Sequence, residues 1–128
     1  MKKILIVIAD YYEDISSTLL KSAKNNLNNF SIKVIRVPGV FEIPVTISKN
    51  IKKYDAFIAL GCVIKGETPH FDFISSATTN AIMKISIEHK KPIGNGIITC
   101  LNMKQAKARS KLKGIEAAKA VLSVLKIF

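Results

Sequence analysis

The densest chemistry in the chain lies in Gly61-Cys62-Val63-Ile64-Lys65-Gly66-Glu67-Thr68-Pro69-His70-Phe71-Asp72. Its glycines let backbone N–H groups approach an anion, Thr68 offers a hydroxyl, and a helix starting just beyond would add partial positive charge. The run lacks the Gly-Lys-Ser/Thr ending of a nucleotide P-loop and the Gly-x-Gly-x-x-Gly fingerprint, so neither a nucleoside triphosphate nor a dinucleotide is favoured. The reference pKa of an imidazole, about 6.5, makes His70 the best general acid/base candidate in the chain; a helix-start cap is the competing role. A second segment, Val37-Pro38-Gly39-Val40-Phe41-Glu42-Ile43-Pro44, sets an aromatic and a carboxylate behind a Pro-Gly turn. That pairing suits a nitrogen heterocycle or a polyol, although Glu42 would equally complement a helix dipole. Tyr11 could stack on a ring or sit on the surface as an amphipathic side chain. Arg109, followed by Lys113-Gly114, is one of only two arginines among 20 basic residues. An Arg in so Lys-rich a chain can mark a place where a forked donor geometry is needed, or lie on a solvated helix face. His89, before Lys90-Lys91, fits a helix C-terminus and needs no function.

These residues need a frame, and the hydrophobic pattern supplies one. KILIVIA (3–9) is a continuous apolar run of the kind buried on both faces of a parallel sheet. Residues 14–29 place Leu19, Leu20, Ala23 and Leu27 on one helical stripe, with Ser16 or Asp14 as N-cap. A second strand, 32–37, stops at Pro38-Gly39, and Pro44 opens a helix to about Lys53. A third strand lies within 54–64, and a helix over 71–89 carries Ile74, Ala77, Ala81 and Ile85 on one stripe. A fourth strand spans 93–100, and a helical tail spans 105–128 with a candidate break at Lys113-Gly114. This alternation predicts one α/β domain over residues 1–128, a flavodoxin-like three-layer αβα sandwich around a four-stranded parallel sheet. Ligands of such sheets bind beyond the carboxyl ends of the strands, here residues 9–12, 37–42, 61–70 and 99–102. Most of the unusual chemistry falls in those stretches.

Composition removes several classes. The chain has 128 residues, 48% hydrophobic, with 20 basic and nine acidic residues and a formal net charge of +11. That excludes disorder and fibres, and the length allows one domain with a real core. Apolar runs such as 4–9 and 56–60 fall far short of the roughly 20 residues of a membrane helix. The opening Met-Lys-Lys-Ile-Leu-Ile imitates a signal peptide until Asp10, Glu13 and Asp14 interrupt it, so a cytoplasmic protein with reduced Cys62 and Cys100 is expected. Two cysteines and two distant histidines do not make a zinc site. Eighteen of the basic residues are lysines spread along the chain, without interleaved aromatics, which argues against nucleic acid but would concentrate an anionic small substrate.

Taken together, the motifs resemble those of the 6,7-dimethyl-8-ribityllumazine synthase family. The resemblance runs from about residue 4 to 127. It rests on 37–44 and 61–72, followed in order by Gly96-Ile97-Ile98-Thr99, Gln105-Ala106, Arg109 and Lys113-Gly114-Ile115-Glu116-Ala117-Ala118. The resemblance implies condensation of 5-amino-6-(D-ribitylamino)uracil with 3,4-dihydroxy-2-butanone 4-phosphate, giving the lumazine, phosphate and water. The amine attacks the ketone, an imine forms, phosphate leaves, and the ring closes. These steps require no covalent nucleophile, metal or cofactor.

Carried over residue by residue, Tyr11 stacks on the pyrimidine, and Val40, Phe41, Glu42, Cys62, Val63 and Ile64 hold the ribityl chain and ring edge. Glu67 and Thr68 form the phosphate-side turn, His70 transfers protons, Arg109 binds phosphate and Lys113 supports it. The resemblance also implies a homopentamer with sites shared between neighbouring subunits, the Arg109 and Lys113 region coming from the next chain. Helix 71–89 allows this, because its second face of Ser75, Ser76, Thr79 and Met83 would admit a neighbouring helix.

Several positions depart from the family pattern. Asp10 stands where many members have Arg, and Asn95, carried over as a binding residue on the uracil side, where many have a Phe that contacts the ring from the neighbour. The stretch between Arg109 and Lys113 is about four residues shorter than in many relatives, and no extension precedes the first strand. Further assembly into shells is therefore not expected. A pentameric riboflavin synthase would need no phosphate site, so Arg109 and the Glu67-Thr68 turn argue against it, and a non-catalytic flavin-binding relative would have no use for His70 together with Arg109 and Lys113.

Overall fold

A computed structural model describes residues 1–66 and 71–126. Strand β1 (Lys3–Ala9) leads to helix α1 (Glu13–Lys24) and strand β2 (Ser31–Val37). A 3₁₀ turn (Val40–Glu42) runs into helix α2 (Ile43–Lys49), and strand β3 (Ala56–Ile64), helix α3 (Phe71–His89), strand β4 (Ile93–Cys100) and helix α4 (Met103–Leu125) follow. The strands form one parallel sheet in the order β2-β1-β3-β4. The chain steps outward from β1 to β2, then crosses to the other side of β1 to begin β3. The switch point therefore lies between β1 and β3.

Burial on both faces follows from the sequence. In β1, Ile4, Ile6 and Ile8 point into a layer covered by Ile15, Leu19 and Ala23 of α1 and by Ala117, Ala118 and Val121 of α4. Leu5, Val7 and Ala9 point the other way, onto Ile43 and Ile47 of α2 and Ile82 of α3. All nine residues of β3 are buried, as expected of a central strand. Each fully buried Ile, Leu or Val here contributes roughly 1.5–3 kcal/mol of transfer free energy. Every helix begins at the carboxyl end of the sheet and finishes at its foot. Glu13 and Asp14 sit in the first turn of α1 and Asp72 in that of α3, while Lys21, Lys24, Lys49 and His89 sit in last turns. Acids thus meet the positive helix ends and bases the negative ones.

The structure corrects several boundaries. Helix α1 starts at Glu13 behind Tyr12, which makes no side-chain cap, so neither Ser16 nor Asp14 is the N-cap. Ser16 is buried one turn in, its Oγ 2.8 Å from the Ala9 carbonyl oxygen and 3.0 Å from that of Tyr12, and it ties the helix to the end of β1. Helix α1 ends at Lys24 rather than 29, and α2 at Lys49 rather than 53. Helix α4 runs unbroken through Lys113-Gly114. The glycine is there for proximity, because a Cβ would run into Ser22 Oγ and the Leu19 carbonyl of α1. On α3 the buried stripe centres on Thr78 and Ile82, and Ala77 is exposed. No helix among the described residues is long and apolar enough to cross a membrane.

Candidate active site

At the carboxyl ends of β1 and β3 the sheet opens into a cleft of about 230 Å³ lined by Ala9, Tyr11, Tyr12, Gly39, Val40, Cys62, Val63, Ile64 and Ile74. Its shape has a local cause. Gly61 lets the 3₁₀ turn close onto β3, since a Cβ at that position would stand 2.7 Å from Val40 Cγ1 and 3.2 Å from Ala9 Cβ. Gly39 does the same for the carboxylate, because its Cβ would lie 3.2 Å from Glu42 Oε1. The Glu42 carboxylate thereby folds back against Gly39, a residue of the cleft wall, while the Glu42 N–H donates to the Gly39 carbonyl at 3.2 Å and its own carbonyl accepts from Thr46 Oγ1 at 2.8 Å.

Tyr11 follows β1 and is 72% exposed, with its ring edge-on to Tyr12 at 4.9 Å and 83°. One aromatic face therefore borders an otherwise apolar recess, an arrangement suited to a flat heterocycle. Phe41, Phe73, Ile74 and Ala77 extend the recess as an outer apolar shelf. Cys62, Val63 and Ile64 sit at the end of β3 itself rather than in a loop. Burial pushes the Cys62 thiol from an ordinary 9.0 up to about 12, and the adjacent Cys100 thiol adds to the push. At neutral pH it is a protonated lining group and not a nucleophile.

The sequence-derived residues divide into two described sets. Tyr11, Val40, Cys62, Val63 and Ile64 line the cleft, with Phe41 and Glu42 at its margin. Asn95, Arg109 and Lys113 do not join them. Asn95 is exposed on β4, at the edge of the sheet, and borders a separate groove with Ala120 and Val124 of α4. Helical spacing sets Arg109 and Lys113 in line with Ala120 and Val124, on the flank of α4 away from α1. Arg109 is exposed, and neither residue makes an ion pair among the described residues. The first turn of α4 is fixed by reciprocal capping: Asn102 Oδ1 accepts from the Gln105 N–H at 2.9 Å, and Gln105 Oε1 accepts from the Leu101 N–H at 2.8 Å.

Glu67, Thr68 and His70 lie outside the described residues, in the chain between Gly66 and Phe71. The cleft also holds Ala9, Tyr12, Gly39 and Ile74, which the motifs did not single out. For Gly39 the Pro-Gly turn was the available signal, and for Ala9 it was the last position of a strand at the switch point. Among the described residues no group of three or more His, Cys, Asp or Glu could hold a metal ion.

An open parallel sheet covered by helices on both faces, with an aromatic-edged cleft at its switch point, defines a doubly wound α/β protein whose cleft lies beyond its strand ends, where such folds bind ligands. The family model described as 6,7-dimethyl-8-ribityllumazine synthase matches residues 1–128. A protein of that name from Nitrobacter hamburgensis is 41% identical over 136 residues, covering 96% of this chain and 83% of the relative. The 6,7-dimethyl-8-ribityllumazine synthase 1 of Rhodopseudomonas palustris is 43% identical over 138 residues, covering 98% and 85%. The namesake from Agrobacterium fabrum is 41% identical over 137 residues, covering 97% and 93%. The chain belongs to the 6,7-dimethyl-8-ribityllumazine synthase family.

Proposed function

We propose that the chain catalyses the condensation of 5-amino-6-(D-ribitylamino)uracil with 3,4-dihydroxy-2-butanone 4-phosphate to 6,7-dimethyl-8-ribityllumazine, phosphate and water, a transferase step in riboflavin biosynthesis. The observation that carries the reading is the cleft at the β1/β3 switch point, with Tyr11 at its rim, Val40 and Cys62 to Ile64 along its walls and the Glu42 carboxylate against Gly39 of its wall. The pyrimidine stacks on Tyr11, and Glu42 accepts hydrogen bonds from the polyol. The uracil's amine attacks the ketone, and one water leaves as the imine forms. Phosphate is eliminated next, and a second water leaves when the ribitylamino nitrogen closes the ring. His70 moves the protons, Glu67 and Thr68 hold the phosphate-side turn, and Arg109 with Lys113 binds the leaving anion. Alignment of two reactants supplies much of the acceleration, and proton transfer adds about 10²–10⁴-fold.

The cleft of one chain and the Arg109 flank of the next form one site in a homopentamer. Two observations support this: the cationic pair stands on a flank that the cleft does not reach, and α3 leaves Phe73, Met83 and Ile87 exposed on a helix with few buried residues. The free thiols of Cys62 and Cys100 fit a cytoplasmic setting. The test is to mix purified protein with both substrates and follow lumazine fluorescence together with phosphate release. Formation of both products in equal amounts is expected, and release of neither would overturn the reading.

A further inference from the structure

The two cysteines of the chain, far apart in sequence, meet at the carboxyl end of the sheet. Alternation along the strands sends Leu60, Cys62 and Ile64 of β3 and Ile98 and Cys100 of β4 to one face, into the apolar layer under α1 and α4. The register pairs Cys62 with Ile98 and Ile64 with Cys100, so the cysteines are diagonal neighbours on adjoining strands. An offset of two residues sets their Cα atoms about 8 Å apart. A disulfide bridges Cα atoms only up to roughly 6.8 Å apart, so this offset is too wide for one without movement of the backbone. The side chains close part of the gap, because the two thiols share a hydrogen bond. Cys100 Sγ also lies 3.4 Å from the Asn102 carbonyl oxygen, to which its S–H donates.

A pair of sulfurs too far apart to bond directly can be joined by one atom between them. A metal–thiolate bond is roughly 2.3 Å long, so a single ion spans sulfurs up to about 4.6 Å apart. Coordination number narrows the class of ion. No third His, Cys, Asp or Glu joins the pair among the described residues, whereas zinc takes four ligands. Thiolates select soft cations, and two of them suit one that accepts linear coordination. Charge narrows it further. The pair belongs to an apolar cluster with Ile64, Ile98 and Ala106, where an unbalanced charge is costly. Two thiolates leave a monovalent ion with a net negative charge but exactly neutralise a divalent one. Entry is from the cleft, because Cys62 lines its wall and Cys100 is buried beside Cys62.

We propose that Cys62 and Cys100 form a paired-thiol binding site for a thiophilic divalent cation of the mercuric class, loaded through the cleft. Binding breaks two S–H bonds, forms two metal–sulfur bonds and releases two protons to solvent, with no change of oxidation state. The bound ion ties β3 to β4 at the end of the sheet where the cleft opens. This binding is independent of the condensation reaction.

The test titrates the purified full-length chain, Cys62→Ser and Cys100→Ser with mercuric chloride, then desalts each against a monothiol in about tenfold excess over chain. Two sulfurs held side by side act at a high effective concentration, so the parent should keep about one ion per chain while each serine variant loses about 90% or more. Elemental analysis counts the metal, and a pH indicator should register two protons released per ion bound by the parent. A sulfur-to-metal charge-transfer band in the ultraviolet should appear in the parent and survive the monothiol. Two ions per chain in the parent, one proton per ion, or a serine variant that holds its ion as firmly as the parent overturns the assignment. If a serine variant fails to fold by circular dichroism, the metal and proton counts of the parent decide.

Discussion

The cleft at the β1/β3 switch point and the flank of β4 and α4 are opposites. The cleft is concave and mostly apolar, with one carboxylate folded against Gly39 of its wall and one exposed aromatic at its rim. The flank carries the exposed Arg109 and Asn95 and the half-buried Lys113, with the Asn95 Oδ1 accepting from the Ile97 N–H at 3.0 Å. A planar heterocycle with a polyol tail fits the first, and an anion fits the second. The comparison matches the proposed division of a two-substrate reaction between two regions of a small domain. On the proposed shared-site reading, each chain supplies the cleft at its switch point and presents the cationic half outward to a second copy paired head to tail.

The comparison can be broken or sharpened in several ways. The largest effect is expected from His70→Ala, which should lower kcat by about a hundredfold or more while leaving substrate KM values nearly unchanged. Steady-state kinetics check this, and an unchanged kcat would remove His70 from proton transfer. Arg109→Ala should raise KM for the butanone phosphate by roughly 10–100-fold, as expected for a charge-assisted contact, with little change for the aminouracil. Equal losses for both substrates would give Arg109 a structural role.

The sharpest test of the division itself mixes Glu42→Ala chains with Arg109→Ala chains. Random mixing pairs an intact cleft with an intact flank at about one site in four, so with butanone phosphate held near the parent KM, activity should rise from the small residual rate of either variant alone to roughly a quarter of the parent level. No recovery in verified mixed assemblies would place both halves in one chain. The smallest effect concerns the cleft wall. Because burial raises the Cys62 thiol, its alkylation should stay slow through pH 9 and rise toward about 12. The unfolded chain ionises first, so stability should fall as the pH climbs through that same window and be insensitive to this thiol below it. Iodoacetamide labelling followed by mass spectrometry, with urea melts across the same pH range, reads both.

Much of the frame was legible in the residues. Helix Phe71–His89 and strand Ile93–Cys100 lie where the apolar pattern puts them, because Pro92 and the helix-ending His89-Lys90 give sharp punctuation. The rule that ligands gather at strand ends anticipated that Tyr11, Val40 and Cys62 would meet, since that consequence of topology needs no side-chain detail. Lys113-Gly114 misled because a glycine inside a helix reads as a weak point in one dimension. Its reason lies in α1, nearly a hundred residues earlier in the chain. Ser16 misled for a related reason: the carbonyl it binds belongs to the preceding strand, so its hydroxyl serves tertiary packing where a cap was expected. The stripe on α3 drifted because a half-covered helix can rotate toward whichever residues reach the sheet, and Thr78 and Ile82 do so.

The common direction of the helices sets the foot of the sheet at the opposite end from the cleft, and basic residues finish α1, α2 and α3 there. Lys3, Lys33, Lys52 and Lys53 ring a depression there, and none of them forms an ion pair among the described residues. Four like charges around one depression repel one another, and dissolved counter-ions damp that repulsion. Ionic strength thereby becomes a control on this end of the molecule, where the repulsion should be weaker in brine than in dilute buffer.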